Sequence, residues 1–387
     1  MTGAISAPVV GVDVSAIPDD PRGAGRYVIE LVAALDRRAN IELRLETRRA
    51  DGDRWQRVAP RSAVAAVVPD GRARRLAWEQ VASPRFVDRW GVDVHHGPHY
   101  TTPELAKVRK VVTVHDLTFF DHPEWHEKVK VAVFTRAIKA AVRLADAIVC
   151  VSAPTARRLQ ELLDPQCPVH VIPHGIDHDL FSPRGDAATD RALLGPLGVR
   201  PPYVAFWGTL EPRKDVATLV AAFDALAADH PDLLLAVAGG SGWGHERFEQ
   251  AVAASPHADR IVRTGYLDDA ALPAFARQAA AVVYAAFEEG FGLPAVEALA
   301  CGAEAVVTTE GSVMDDLTDG AAWLAPAGEP DALASTLARL LDPSTASERA
   351  AKRAHGLEVA AAFTWDGTAA AHEAVYTDVA GRPRRRR

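Results

Sequence analysis

Short apolar runs alternating with stretches of helical periodicity constrain this chain more than any other feature. In the first half PVVGVDVSA, IELRLE, AAVVP, VVTV, AIVCVS and VHVIP read as buried strands. Helical segments lie between them, among them RLAWEQVASPRFVDRW, residues 128–145 and APTARRLQELL. A strand, a helix and another strand in this order close as a crossover that leaves the strands parallel. A second set follows: PYVAFWG, a helix over 215–229, LLLAVAGG, IVRTG with the helix behind it, the apolar run ending at Val283-Tyr284, AVVTT, and the helix DALASTLARLLD. The class is therefore α/β, built as two parallel-sheet halves.

The 387 residues suit two cores of ordinary size. The expected division is 1–180 and 181–362, with FSPRGD as the linker. A last helix over 363–380 crosses back to the first domain, and 381–387 forms a basic tail. No apolar run reaches the roughly 20 residues that span a bilayer, and the first residues lack the features of a signal peptide. Cys150, Cys167 and Cys301 show no metal-ligand spacing and read as buried thiols in a reducing cytoplasm. Charge is uneven: residues 1–180 carry 25 Lys and Arg against 23 Asp and Glu, a net of +2, and the remainder carries 18 against 28, a net of −10. Arg48, Arg49, Arg54, Arg57 and Arg61, then Arg72, Arg74 and Arg75 beside Leu76 and Trp78, form a basic-plus-aromatic surface. It reads either as a solvated face or as a contact with anionic membrane. Nucleic acid is not an expected partner, and the oligomeric state is left open.

Chemistry concentrates at strand ends. Residues 289–302 read EGFGLPAVEALACG. Pro294 is favoured in a first helical turn, so a helix begins near Leu293 and 286–291 is a strand-to-helix loop. Such a loop aims free backbone N–H groups and a positive helix end at a ligand. Glu289 precedes the helix and Glu297 falls about one turn inside it, so the two carboxylates meet different parts of one ligand. Taken singly they also fit a loop acid and a helix salt bridge. GTLEPRKD places Arg213 and Lys214 after a strand, where a fork and a point charge neutralise a diphosphate. VTVHD places His115-Asp116 at another strand end. Gly23 and Gly25 open the first helix, with Arg26 and Tyr27 read as loop ligands or as helix surface. Gly239, Gly240 and Gly242 form a second flexible loop.

Glu289 and Glu297, with seven residues between them, resemble the Glu-x7-Glu motif of retaining glycosyltransferases of the GT-B fold, family 4. GTLEPRKD, VTVHDLTFF, VIPHGID and the Gly-x-Gly-Arg-Tyr of the first loop agree with that resemblance, which covers residues 9–380. It implies two Rossmann-like domains with a cleft between them and HGID as the interdomain hinge. It also implies a nucleotide-diphosphate sugar as donor and no tightly bound cofactor. In the roles it implies, Glu289 with Gly290, Phe291, Gly292 and Leu293 holds the sugar, and Glu297 holds the ribose. Gly208, Thr209, Arg213 and Lys214 clamp the diphosphate without a metal ion, and Tyr266 and Leu267 line the nucleotide base. His115 lies near the donor sugar, and Gly23 and Gly25 near the diphosphate and acceptor. The catalytic set is then His115, Glu289, Arg213 and Lys214, and the leaving phosphate takes the acceptor proton. The variant looks most like bacterial mannosyl- and rhamnosyltransferases of cell-envelope polysaccharide assembly, which puts GDP-mannose first among donors and a glycan or lipid-linked molecule as acceptor. The implied location is cytoplasmic, with peripheral contact at the inner face of the plasma membrane. A binding protein without turnover, an epimerase and a phosphorylase are the alternatives. Three positions depart from the pattern: Glu304 and Asp315 stand where Pro is usual and Asp215 where Asn is. Glu304 is expected to bring a charge near the ribose.

Overall fold

The structure, a computed structural model, describes residues 7–19, 21, 23–268 and 270–383. The four closing arginines of the expected tail, 384–387, lie outside the described residues.

Most strands form because their residues are apolar on both faces, as buried parallel strands require, while β2 (ELRLETR) alternates apolar and charged residues. The first unit contains, in order, β1 (Val9–Asp13), α1 (Ala24–Arg38), β2 (Glu42–Arg48), α2 (Gly52–Val58), β3 (Ala63–Val68), α3 (Arg72–Val81), α4 (Ser83–Trp90), β4 (Val94–Gly97), β5 (Arg109–Val114), α5 (Thr118–Asp121), α6 (Lys128–Leu144), β6 (Ala147–Cys150), α7 (Ala153–Leu163) and β7 (Val169–Val171). The second contains α8 (Ala187–Leu194), β8 (Tyr203–Trp207), α9 (Val216–Ala227), β9 (Leu234–Ala238), α10 (Glu246–Ala254), β10 (Ile261–Gly265), α11 (Ala271–Arg277), β11 (Ala281–Tyr284), α12 (Leu293–Ala300), β12 (Val306–Thr309), α13 (Val313–Thr318), β13 (Trp323–Ala325), α14 (Pro330–Leu341) and α15 (Ala346–Ala361). A final helix, α16 (Trp365–Gly381), belongs to the first unit.

Sheet orders are β3-β2-β1-β4-β5-β6-β7 and β10-β9-β8-β11-β12-β13, with every pairing parallel. In each sheet the order reverses beside the first strand, between β1 and β4 and between β8 and β11. Loops leaving the carboxyl ends at such a reversal diverge and open a crevice, which is where ligands bind in this architecture.

The chain leaves the first unit between Gly175 and Ile176, inside HGID, and returns between Thr364 and Trp365. The boundaries expected at 180/181 and 362/363 stand close to these crossings. In α16, Trp365, Ala369, Val375, Tyr376 and Val379 are buried in one core with Tyr27, Val28 and Leu31 of α1. Each large side chain buried in this way contributes about 1.5–3 kcal/mol, so α16 is part of the first unit's core.

Two elements differ from expectation. The helical stretch over 75–90 is broken into α3 and α4, because Pro84 lacks the N–H needed to continue a helix and instead occupies the first turn of α4. Helix α15, which was not anticipated, has a long polar face and only Gly356 and Ala360 fully buried. Its alanine-rich sequence carries weak apolar periodicity, so docking against α12 decides it.

Candidate active site

In the second unit, the loops leaving β8, β9 and β10 are bonded to one another through backbone. Gly208 N–H donates to Ala238 O, Leu210 N–H to Gly240 O and Gly239 N–H to Gly265 O. A Cβ on Gly239 would stand 1.9 Å from Gly208 O, so only glycine permits this approach. The β8 loop then tightens into a 3₁₀ turn over Pro212–Lys214, and Asp215 takes a left-handed conformation (φ 50°) ahead of α9. Asp tolerates that conformation better than most residues, so the departure from Asn is conservative here.

That turn delivers Arg213 and Lys214 to the loop leaving β11. Arg213 Nη1 lies 2.7 Å from Glu289 Oε2, and Lys214 Nζ meets Glu289 Oε1. Lys214 Nζ also donates to the Tyr284 hydroxyl, which lies 3.4 Å from the same carboxylate oxygen. Lys214 is 7% exposed and the Glu289 side chain 9%. Burial alone would raise the Glu289 pKa, but the two cations outweigh it and hold the carboxyl at about 2. Burial and the neighbouring guanidinium push Lys214 down to about 8, against the pull of Glu289. The cluster holds two cations and two carboxylates at the sheet's reversal point, Glu289 between the cations and Glu211 3.0 Å from Arg213 Nε. A polyanion entering here would compete with these carboxylates for Arg213 and Lys214.

Gly292 caps α12 with φ 91°, and a Cβ there would lie 2.5 Å from Met314 Cγ. Glycine is therefore required where the loop turns into the helix. Leu293 is the first residue of α12 and Pro294 the second, as the sequence indicated. Gly290 and Phe291 are buried, Phe291 edge-on to Phe363 at 5.8 Å. Glu297, 2% exposed, accepts from Trp207 Nε1 at 3.4 Å. Gly208 and Thr209 are half-buried. Gly265 (φ 68°) has open space around its missing Cβ, Tyr266 beside it is 61% exposed, and Leu267 is buried. Any role of Leu267 toward a ligand therefore runs through its backbone.

The remaining expected residues lie in the first unit. His115 ends β5 at 6% exposure, and its Nε2 bonds Pro98 O at 2.8 Å. Burial lowers its pKa, only partly offset by the Pro98 carbonyl and Asp116. The imidazole is therefore neutral near pH 7, with Nε2–H donating to Pro98 O and Nδ1 left as the acceptor. Gly23 caps α1 with φ 45°, whereas Gly25 sits inside the first turn of α1, with its Cβ position 3.1 Å from Pro21 Cβ. Of the two glycines only Gly23 is in the loop. Tyr27 is neither a loop ligand nor helix surface. It is fully buried, stacked on His174 at 4.8 Å, and its hydroxyl bonds Thr113 Oγ1 at 3.1 Å and His372 Nε2 at 2.9 Å.

One further expectation changes. Glu304 precedes β12 and so lies at the amino edge of the sheet, away from the carboxyl-edge loops. Arg349 and Arg353 of α15 hold it at 3.1 and 3.9 Å, so it brings no charge to the nucleotide loops. Of the basic surface, Arg49, Arg57, Arg72 and Arg74 are exposed, and the other four arginines and Trp78 bond within the unit. Arg48 holds Asp51, Asp19 and Ile17 O, Arg54 holds Pro18 O, Arg61 binds around Asp36, Arg75 faces Glu79, and Trp78 donates to Glu46. Asp315 accepts from Gly311 N–H in the first turn of α13, where an acid suits the helix dipole.

Sequence reasoning missed Tyr284 and Trp207. Both are the last residues of their strands, aromatic with one polar atom, at the carboxyl edge of a reversal point. That position was the signal available for them.

The fold defines a class, a GT-B protein of two Rossmann-like units, with a cluster of cations and carboxylates at the reversal point of the second. Comparison with known proteins agrees. Residues 21–180 match the family described as Glycosyltransferase Family 4, and residues 196–356 match Glycosyl transferases group 1. The O-antigen chain mannosyltransferase B of Escherichia coli is 28% identical over 277 residues, 70% of this chain and 71% of that protein. A D-inositol 3-phosphate glycosyltransferase of Thermobispora bispora is 30% identical over 77% of this chain and 68% of its own length. The solved structure of Anabaena HepE in complex with UDP and glucose superposes with a TM-score of 0.75 at 17% identity, over 96% of this chain and 100% of that one. The chain spans 62% to 71% of the length of such curated relatives. The chain belongs to the group 1, family 4 glycosyltransferases.

Proposed function

We propose that this chain transfers a hexose, mannose first among candidates, from a nucleotide-diphosphate sugar to a glycan or lipid-linked acceptor of cell-envelope polysaccharide or glycolipid, with retention of anomeric configuration. The observation that carries the reading is the buried Arg213–Glu289–Lys214 cluster at the β8/β11 reversal. Its two fixed cations supply the charge that stabilises a departing diphosphate, a term that grows in a water-poor site. Glu289 and the amides of Gly290 to Gly292 hold sugar hydroxyls, and Glu297, held by Trp207, serves the ribose. Tyr266 and the Gly265 turn take the base. A neutral His115 suits hydrogen bonding to an uncharged hydroxyl and leaves the acceptor proton to the departing phosphate. The E. coli mannosyltransferase relative supports mannose, and the UDP complex of the Anabaena protein supports a nucleotide donor. The setting is the cytoplasm, at the inner face of the plasma membrane; among the described residues no helix is long and apolar enough to cross a bilayer.

The test is thermal stabilisation by UDP, GDP, ADP and dTDP, with and without Mg²⁺, repeated on Lys214→Ala, followed by turnover with the matching nucleotide hexose. Ligand at a hundred times its dissociation constant adds about 2.7 kcal/mol. Stabilisation by one nucleotide, independent of Mg²⁺ and lost in the variant, is expected. No response to any of the four refutes the reading.

A further inference from the structure

Three large apolar side chains of the first unit stand in solvent: Leu105 at 78% exposure, Val129 at 71% and Val81 at 68%. Hydrogen bonds and ion pairs gather them into one region. Gln80, next to Val81, bonds Thr102 O and receives Glu104 N–H. Glu104, next to Leu105, is held by Arg136 at 2.6 Å, and Arg136 lies two helical turns along α6 from Val129. The α3 end of the region is joined as well, since Arg72 acts electrostatically on Glu127, the residue before α6.

Charge around these side chains is predominantly positive. Helix α6 reads KVKVAVFTRAIKAAVRL, with five cations and no acid in 17 residues. Lys128 and Arg136 are exposed, as are Arg72, Arg74 and Lys107 nearby. The acids beside them are Glu104 and Glu127, paired with Arg136 and Lys130, Glu124 beside His122, and Asp88, which accepts from Lys107 N–H and Val108 N–H. The first turn of α6 also places Lys128 and Lys130 where the helix dipole disfavours cations. Apolar side chains ringed by lysine and arginine match a surface that is anionic outside and apolar within, namely a bilayer leaflet bearing anionic headgroups. An acidic protein would satisfy the cations but not the exposed Leu105 and Val129.

We propose that the start of α6, with Leu105, Val81 and the surrounding cations, is the face by which this protein rests on anionic lipid. The proposal deepens the membrane reading given above and rests on it. It takes a different surface from the arginines of 48–61, of which Arg48, Arg54 and Arg61 are bonded within the fold. Because α6 begins beyond the carboxyl end of β5, the first turn of α6 lies at the same edge of the first unit as His115, while Leu105 and Lys107 precede β5 and extend the face toward the other edge. A lipid-linked acceptor would thus be presented to that edge from the membrane.

The test is co-sedimentation of the full chain with vesicles of phosphatidylcholine alone and of equal parts phosphatidylcholine and phosphatidylglycerol, at low and high salt. The wild type is expected on anionic vesicles only, with binding that falls steeply as salt rises. Lys128→Glu with Lys130→Glu should weaken it by at least roughly fivefold for each cation removed. Leu105→Asp with Val129→Asp should weaken it further at a given salt. Nucleotide stabilisation should be unchanged in both variants, which reports that each is folded. If the wild type binds neither vesicle, the membrane reading fails. If both variants bind as the wild type does, or if Arg48→Glu with Arg54→Glu abolishes binding instead, the membrane reading stands and this face is wrong.

Discussion

Raising the pH should weaken diphosphate binding at the Arg213–Glu289–Lys214 cluster through Lys214. Burial beside Arg213 brings its pKa to about 8, so the ammonium is mostly protonated at pH 7 and mostly neutral at pH 9. A diphosphate that requires the charged form then binds with an apparent dissociation constant that grows about tenfold between pH 7 and pH 9, roughly 1.4 kcal/mol. That loss is close to the lower end of the roughly 1.5–3 kcal/mol that a hydrogen bond to a charged group contributes. Stability moves the other way. The folded pKa lies below the unfolded one, so the unfolded chain holds the extra proton between about 8 and 10.5, and neutralising Lys214 relieves the cost of burying its charge over that window. The assay is calorimetric titration of the selected nucleoside diphosphate at pH 7, 8 and 9, on the wild type, Lys214→Arg and Lys214→Met. Lys214→Arg stays charged throughout and should show a flat profile, which separates Lys214 from titration of the base. Lys214→Met should bind weakly at every pH. A flat wild-type profile, or an equal fall in Lys214→Arg, would refute the reasoning.

Tyr284→Phe removes the hydroxyl shared by Lys214 and Glu289 while keeping the ring stacked on Phe206 at 5.8 Å. Stability should drop by about 1 kcal/mol, and Glu289 and Lys214 should be held less firmly, which a fall in kcat/KM larger than the change in Tm would report. Gly292→Ala meets both a left-handed backbone and Met314. A loss of about 1–3 kcal/mol is expected by denaturant unfolding, and a Tm equal to the wild type would contradict the geometry. His372 is buried between Tyr27 and the Thr368 carbonyl, and burial brings its pKa to about 4. Its folded value lies below 6.5, so its contribution is complete above pH 6.5 and lost on acidification toward 4. At pH 5 the first unit should be about 2 kcal/mol less stable than at pH 7 from this group alone, with His96 and His174 shifted the same way. Denaturant midpoints at the two pH values check this, and an increase in stability at pH 5 would contradict it.

Much of the candidate site was legible because its chemistry is carried by adjacent residues. Arg213 and Lys214 stand side by side in the chain, and Glu289, Gly292 and Glu297 fall within nine positions of one loop and helix. Tyr284 was not legible, because a tyrosine ending an apolar strand reads as core until the Lys214 turn is seen to reach its hydroxyl. Tyr27 was misread for a related reason. Its partners Thr113, His174 and His372 are between 86 and 345 positions away, and no local pattern joins them. The effect expected of Glu304 failed because its edge of the sheet depends on strand direction and its neutralising arginines belong to α15.

What the sequence determined by itself is the α/β class, the two sets of crossovers, the glycine turns and the identity of the charged groups. Those follow from local periodicity and from backbone conformations that few residues tolerate. What the tertiary structure decided is which strand ends adjoin. The reversal between β8 and β11 brings the 208–215 loop against the 285–292 loop, although about seventy residues separate them in the chain. Only that juxtaposition puts two cations and a carboxylate in one buried place. There burial lowers the pKa of Lys214, while the two adjacent cations, acting against burial, keep Glu289 ionised.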